Sequence, residues 1–184
     1  MPNMFGVSGA QNGSRGNTVP HLIIGNDSYT KLLVNFEGSS ATDLSTRNHT
    51  LTLMESAESA VSNKAFGKKS LYSNGNGYIK ISDNMADFRF TSSEEFTIET
   101  RFSATTAQDQ PLFCCYDPAT EGWALYYQNS DSKFYLKANG STVLSCSYSI
   151  TLGKWYHVAL VGTGTQIKLF VNGVSQATVS QVDL

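Results

Sequence analysis

From Tyr29 onward the chain alternates short apolar runs with clusters of Gly, Asn, Ser and Asp. The clearest run is Phe96-Thr97-Ile98-Glu99-Thr100-Arg101-Phe102. Phe96, Ile98 and Phe102 share one face with Thr100, while Thr97, Glu99 and Arg101 share the other. A period of two makes this a half-buried strand of an antiparallel sheet, with Phe96 and Ile98 as core candidates. Similar runs follow at 112–116, 123–128, 133–138, 143–148, 155–161 and 166–171. Upstream, 31–36, 49–54, 71–72 and 78–81 read as strands. The stretch 54–66 is ambiguous, because Glu55-Ser56-Ala57-Glu58-Ser59-Ala60 tolerates a helical turn. Asn172-Gly173 marks a hairpin, since both residues accept positive φ. Strands spaced by about 8 to 12 residues, with no helical period of useful length, predict an all-β sandwich.

Residues 1–28 lack this pattern. They are rich in Gly, Asn and Ser, and within them only His21-Leu22-Ile23-Ile24 reads as a strand. Such a segment buries too little apolar area to order itself alone. It reads either as an arm ordered against something else or as a loose terminus. The domain organisation expected is therefore an irregular arm over 1–28 and a β-sandwich over 29–184.

Composition narrows the function classes. The 184 residues include 15% charged side chains, against about 25% in an average soluble protein. The net charge of −2 lacks the basic excess of a nucleic-acid binder, and Lys64, Lys68 and Lys69 read as a solvated loop. No apolar run approaches the ~20 residues of a membrane-spanning helix, and no secretory leader is visible at the N-terminus. Neither a nucleic acid nor a membrane is expected as a partner. Of the three cysteines, Cys114 and Cys115 are strand neighbours and point to opposite faces, so Cys146 can pair with one of them at most. Free thiols and a reducing assembly compartment are the expectation, with a single disulfide as the alternative.

Five stretches in order carry a family resemblance. They are Ala65-Phe66-Gly67-Lys68-Lys69-Ser70-Leu71-Tyr72 with Gly77-Tyr78-Ile79-Lys80-Ile81, then Glu95-Phe96-Thr97-Ile98-Glu99, Gly153-Lys154-Trp155-Tyr156-His157-Val158-Ala159 and Leu169-Phe170-Val171-Asn172-Gly173. Together they resemble the laminin-G-like branch of the concanavalin A-like lectin/glucanase superfamily. The opening Tyr29-Thr30-Lys31-Leu32-Leu33-Val34-Asn35-Phe36-Glu37-Gly38 is similar to the first strand of such domains in bacteriophage structural and tail proteins. The resemblance spans about residues 29 to 180 and implies a two-sheet antiparallel jelly roll. In that frame the ring of Trp155 is expected between the sheets, and His157 is expected as a hydrogen-bonded interior or edge histidine. Gly67 is expected to hold a backbone angle that a β-carbon would not allow. The family pattern continues past the Asn-Gly hairpin for two more strands, whereas this sequence ends at Gln181-Val182-Asp183-Leu184. The missing edge has three candidate sources: the arm through Leu22 to Ile24, a neighbouring subunit, or further chain.

Enzymatic chemistry is not selected. Glucanases of this superfamily use a Glu-x-Asp-x-x-Glu strand, and no Glu-x-Asp occurs here. Glu95 and Glu99 on one strand face would stand about 13 Å apart, against about 5–9.5 Å for glycosidase pairs. Glu99 and Arg101 read as a surface ion pair. Neither nucleophile motifs nor metal-ligand spacing among His21, His49 and His157 appear. The resemblance allows calcium at loop carboxylates, for which Asp83, Asp87 and Asp117 are the candidates against a plain turn role; no other cofactor is implied. Carbohydrate contact is the remaining chemistry, since sugars stack on aromatic rings and hydrogen-bond to Asn and Asp. Tyr116, Asp117, Trp123, Tyr127 and Asn129 are the glycan-contact candidates, with core packing as the alternative for Trp123.

With these readings, the resemblance to phage structural proteins implies a non-enzymatic virion structural protein of a tailed bacteriophage, a capsid decoration, head-fibre or tail-fibre module. Its arm would dock on other virion proteins and its jelly roll would adhere to host-surface or environmental glycans, with a homo-oligomer left open. The alternatives are a stand-alone lectin-like module and a glycoside hydrolase or lyase.

Overall fold

A computed structural model describes residues 26–117 and 121–184; at 116, 117 and 121 it describes the backbone alone. The expected arm residues 1–25, including His21 to Ile24, lie outside the described residues. The described residues divide into two compact units, one ending at Asp87 and the other running from Phe88 to Leu184.

The second unit holds eight of the strands and forms a sandwich. One sheet has the order β11-β10-β9-β8, from β8 (Gln110–Asp117), β9 (Glu121–Gln128), β10 (Lys133–Ala138) and β11 (Ser141–Ser147). The other has the order β14-β13-β12-β7, from β7 (Glu95–Phe102), β12 (Tyr156–Thr163), β13 (Gln166–Val171) and β14 (Val174–Ser180). All pairings are antiparallel. Asn139-Gly140 and Asn172-Gly173 all take positive φ at their hairpin turns, as the primed turns that match strand twist require.

Alternation decides what enters the core. Trp123, Leu125 and Tyr127 of β9 are buried, as are their register partners Ala138, Leu136 and Phe134 of β10. On the facing sheet Tyr156, Val158 and Leu160 of β12 are buried beside Ile167, Leu169 and Val171 of β13. The layers meet through rings: Phe102 lies edge-on to Phe134 at 6.0 Å, and Tyr148 edge-on to Tyr156 at 5.9 Å. Such pairs add to plain area burial. Gly162 is required by close approach, because a β-carbon there would stand 2.3 Å from the Phe96 ring.

Two expectations about this core change. Trp155 precedes β12 and is half-buried. Tyr156 enters instead, because it shares the face of Val158 and Leu160 whereas Trp155 has the opposite parity. Phe96 is buried, but Ile98 is half-buried, because its strand β7 ends the order of its sheet. His157 shares the outward parity of Trp155, and its Nε2 lies 3.0 Å from Glu99 Oε2. Glu99 thus meets a cross-strand histidine, a partner the in-strand pairing with Arg101 did not foresee. Cys114 is exposed and Cys115 buried, as opposite faces demand, and both are free thiols with Cys146.

The segment after β14 is tied down. Phe90 and Leu184 exchange backbone bonds of 2.9 and 2.8 Å, and the Gln181 amide donates to the Thr91 and Glu94 carbonyls.

The first unit consists of short antiparallel pairs: β1 (Val34–Asn35) with β2 (Thr42–Asp43), β3 (Leu51–Met54) with β6 (Tyr78–Ile81), and β4 (Glu58–Ala60) with β5 (Ser70–Tyr72). The stretch at 55–60, open to a helical turn from sequence, becomes β4 after Glu55 takes a φ of 53°. Gly67 has a φ of 64°, and a β-carbon there would strike the Glu37 carboxylate that accepts from Lys68 N. Asp43 organises the start of the unit. Its buried carboxylate accepts from the amides of Leu33, Ser45 and His49 and from Ser45 Oγ, at 2.8–2.9 Å. Burial alone would raise its pKa, but these donors together outweigh it and hold the carboxyl below its ordinary value.

Two measurements follow from this packing. Urea denaturation of F134A is expected to show a loss of about 3–5 kcal/mol, and W155A a clearly smaller one; equal losses would reverse the assignment of the core ring. A carboxyl with a lowered folded pKa stabilises above its unfolded value, and that stability is lost as pH falls through the folded one. D43N is therefore expected to be less stable by about 1–3 kcal/mol at neutral pH. Its deficit relative to wild type should narrow below about pH 4 in pH-dependent urea melts.

Candidate functional site

The inward parity of Trp123, Leu125 and Tyr127 sends Ala124, Tyr126 and Gln128 to the opposite face of β9. On β10 the same rule sends Lys133, Tyr135 and Lys137 outward, since Phe134, Leu136 and Ala138 are buried. The register sets these residues in rows across the sheet. One row runs Pro111, Tyr126, Tyr135, Ser145, and the next runs Cys114, Ala124, Lys137, Thr142. Pro111, Cys114, Lys137, Thr142 and Ser145 are exposed, and the two tyrosines are half-buried.

The tyrosines form a platform. Their rings stack with centroids 5.5 Å apart and planes 17° from parallel. Cross-strand neighbours on one sheet face stand close enough for this contact. The Tyr135 hydroxyl donates to Asp131 Oδ2, which raises its pKa and fixes the ring at that end. Lys137 Nζ lies 5.5 Å from the Tyr126 centroid, within cation–π range. Lys133 Nζ lies 3.9 Å from the same Asp131 oxygen. The face thus offers aromatic surface, hydroxyls from Thr142 and Ser145, and ammonium groups, a set suited to a polyhydroxylated ligand with apolar ring faces.

Of the residues singled out from sequence, Trp123, Tyr127 and Asn129 do not join this platform. Trp123 is buried, and its indole N–H donates to Phe88 O at 2.8 Å. Tyr127 is also buried, against Phe134 at 5.0 Å. Both pack the core, because they share the parity of Leu125. Asn129 is half-buried in the turn after β9, where its backbone N–H donates to Asp109 Oδ1 at 2.8 Å. Tyr116 and Asp117 end β8 opposite Gly122 and Glu121. Their side chains lie outside the described residues, as do Pro118, Ala119 and Thr120 altogether. Neither Tyr126 nor Tyr135 is among the candidates singled out from sequence. The signal available was the pairing of 123–128 with 133–138, which sets Tyr135 across from Tyr126.

Of the acids considered for calcium, Asp83 and Asp87 are engaged with bases, and the Asp117 side chain lies outside the described residues. Asp83 Oδ1 lies 3.1 Å from Nδ1 of the fully buried His49 side chain. Asp87 lies 3.1 Å from Lys31 Nζ and 3.4 Å from Arg47 Nε. Among the described residues no group of three or more His, Cys, Asp or Glu side chains is placed to hold a metal ion.

Comparison with known proteins fits this geometry. No curated protein sequence matches the chain. Among solved structures it is similar to the binding domain of the Paraclostridial mosquitocidal protein 1, at 17% identity and a TM-score of 0.59, over 83% of this chain and 42% of that one. It is also similar to the binding domain of botulinum neurotoxin DC. In complex with SialylT the values are 12% identity, TM-score 0.57, and 82% and 39% of the two chains. In complex with rat synaptotagmin II they are 13%, 0.58, and again 82% and 39%. The chain spans about two-fifths of the length of these binding domains, and at such identities the likeness is one of fold. The family model laminin G 3, described as the concanavalin A-like lectin/glucanases superfamily, matches residues 73–183. Supported by that match over more than half its length and by its two antiparallel sheets, the chain belongs to the concanavalin A-like lectin/glucanases superfamily.

Proposed function

We propose that the chain is a non-catalytic glycan-binding module whose contact surface is the outer face of the sheet β8–β11. The observation that carries this reading is the stacked pair Tyr126 and Tyr135 on a solvent-facing sheet surface. The ring surface that this mutual stacking leaves open meets the apolar face of a pyranose with little loss of side-chain entropy, since tyrosine has few rotatable bonds. The hydroxyls of Thr142 and Ser145 and the ammonium of Lys137 stand beside it as hydrogen-bond donors. Support also comes from the neighbouring structures, which are binding domains. Glycosidase chemistry finds little support, since Glu99 is held by His157.

A finer reading places this module on the particle of a tailed bacteriophage, as a capsid decoration or fibre domain, with residues 1–28 as the docking arm and 29–184 as the jelly roll. It rests on the similarity of Tyr29–Gly38 to the first strand of phage structural proteins. Purified particles should then contain the chain in stoichiometric amount by mass spectrometry. A chain recovered solely as free protein from lysates would remove the virion assignment and leave the glycan reading intact.

The glycan reading is tested on an array. Y126A and Y135A are each expected to lower retention at least tenfold, with the near-ultraviolet dichroism of the fold preserved. W123A is expected to unfold or melt early rather than to bind selectively less. Undiminished binding by the doubly substituted Y126A/Y135A protein would contradict the assignment.

A further inference from the structure

We infer that the ligand of this face is an anionic glycan, whose carboxylate or sulfate group is held by Lys137 while a sugar ring packs on Tyr126. The inference rests on the glycan reading above and adds the charge of the ligand and the residue that selects it.

Charge on the face is the first observation. Lys133 and Lys137 project from β10 on the outward parity, and Asp131 stands in the turn before them. Among the described residues that leaves the face with a positive balance, on a chain whose net charge is −2. Asp131 is already engaged, since it accepts from Tyr135 Oη and lies near Lys133 Nζ. Lys137 differs. It is exposed, and among the described residues no carboxylate lies within ion-pair distance of it.

Placement is the second observation. Lys137 Nζ lies over the Tyr126 ring, 5.5 Å from its centroid, and Tyr135 stacks on the same ring, so a sugar that packs there displaces the ammonium to the sugar's own rim. The register of β10 on β11 shifts between Leu136 and Lys137, with Val143 of β11 as the extra residue, so the bulge lies on the strand opposite Lys137. Ala124 lies in register between Lys137 and Cys114, so the sheet surface is low beside the ring. A neutral sugar seated there would strip water from the ammonium and return little. A sugar carboxylate or sulfate returns a charge-assisted hydrogen bond, which discriminates by about tenfold or more.

The test uses the full chain on an array that presents each glycan backbone in acidic and neutral form: sialylated and asialo, uronate and methyl ester, sulfated and unsulfated. Acidic members are expected to be retained about tenfold or more above their neutral counterparts. K137Q should erase that preference, and K137R should keep it. Equal retention of both forms, abolished by Y126A, would overturn the charge inference and leave the tyrosine platform standing. An acidic preference that survives K137Q would overturn the assignment to Lys137. Retention of no member of either class would overturn the platform reading together with the inference.

Discussion

The two-residue alternation of β9 and β10 is the constraint on which the rest depends. The six inward positions on these two strands cannot be exchanged for outward ones without a one-residue slip, and a slip would expose all of them together. Leu125, Phe134 and Leu136 have no exposed surface at all, so the register is strongly held. The same alternation that buries Trp123 and Tyr127 leaves Tyr126 and Tyr135 stacked on the other side. Core and candidate site are two consequences of one pairing.

The sandwich half of the fold was legible because its strands are long and alternate cleanly. Lys133–Ala138 and Gln166–Val171 have the bounds their patterns suggest, and Asn172-Gly173 forms its turn. The first half was less legible for a physical reason. Its strands are two to four residues long, and β3 pairs with β6 past the intervening β4–β5 pair. Much of its order comes from the Asp43 carboxylate gathering amide donors from Leu33, Ser45 and His49, which leaves no periodic trace.

The site was legible in kind and misplaced in position. Aromatic residues near 123–129 pointed to sugar contact, yet size and aromaticity do not tell which face a ring occupies. Trp155 and Trp123 drew attention as the two tryptophans of the chain, and their roles differ. Trp123 is a core residue with a satisfied indole N–H, while Trp155 lies half-buried ahead of Tyr156. The parity of Leu125, Leu136 and Phe134 is what sorts Tyr126 and Tyr135 outward.

The most direct test of the account is amide chemical-shift mapping of the full chain during titration with the best-retained glycan from the array. The account predicts that shifts concentrate at 124–128 and 133–137, on and beside the two tyrosines. Shifts confined to other strands or loops, with these two segments unmoved, would contradict it.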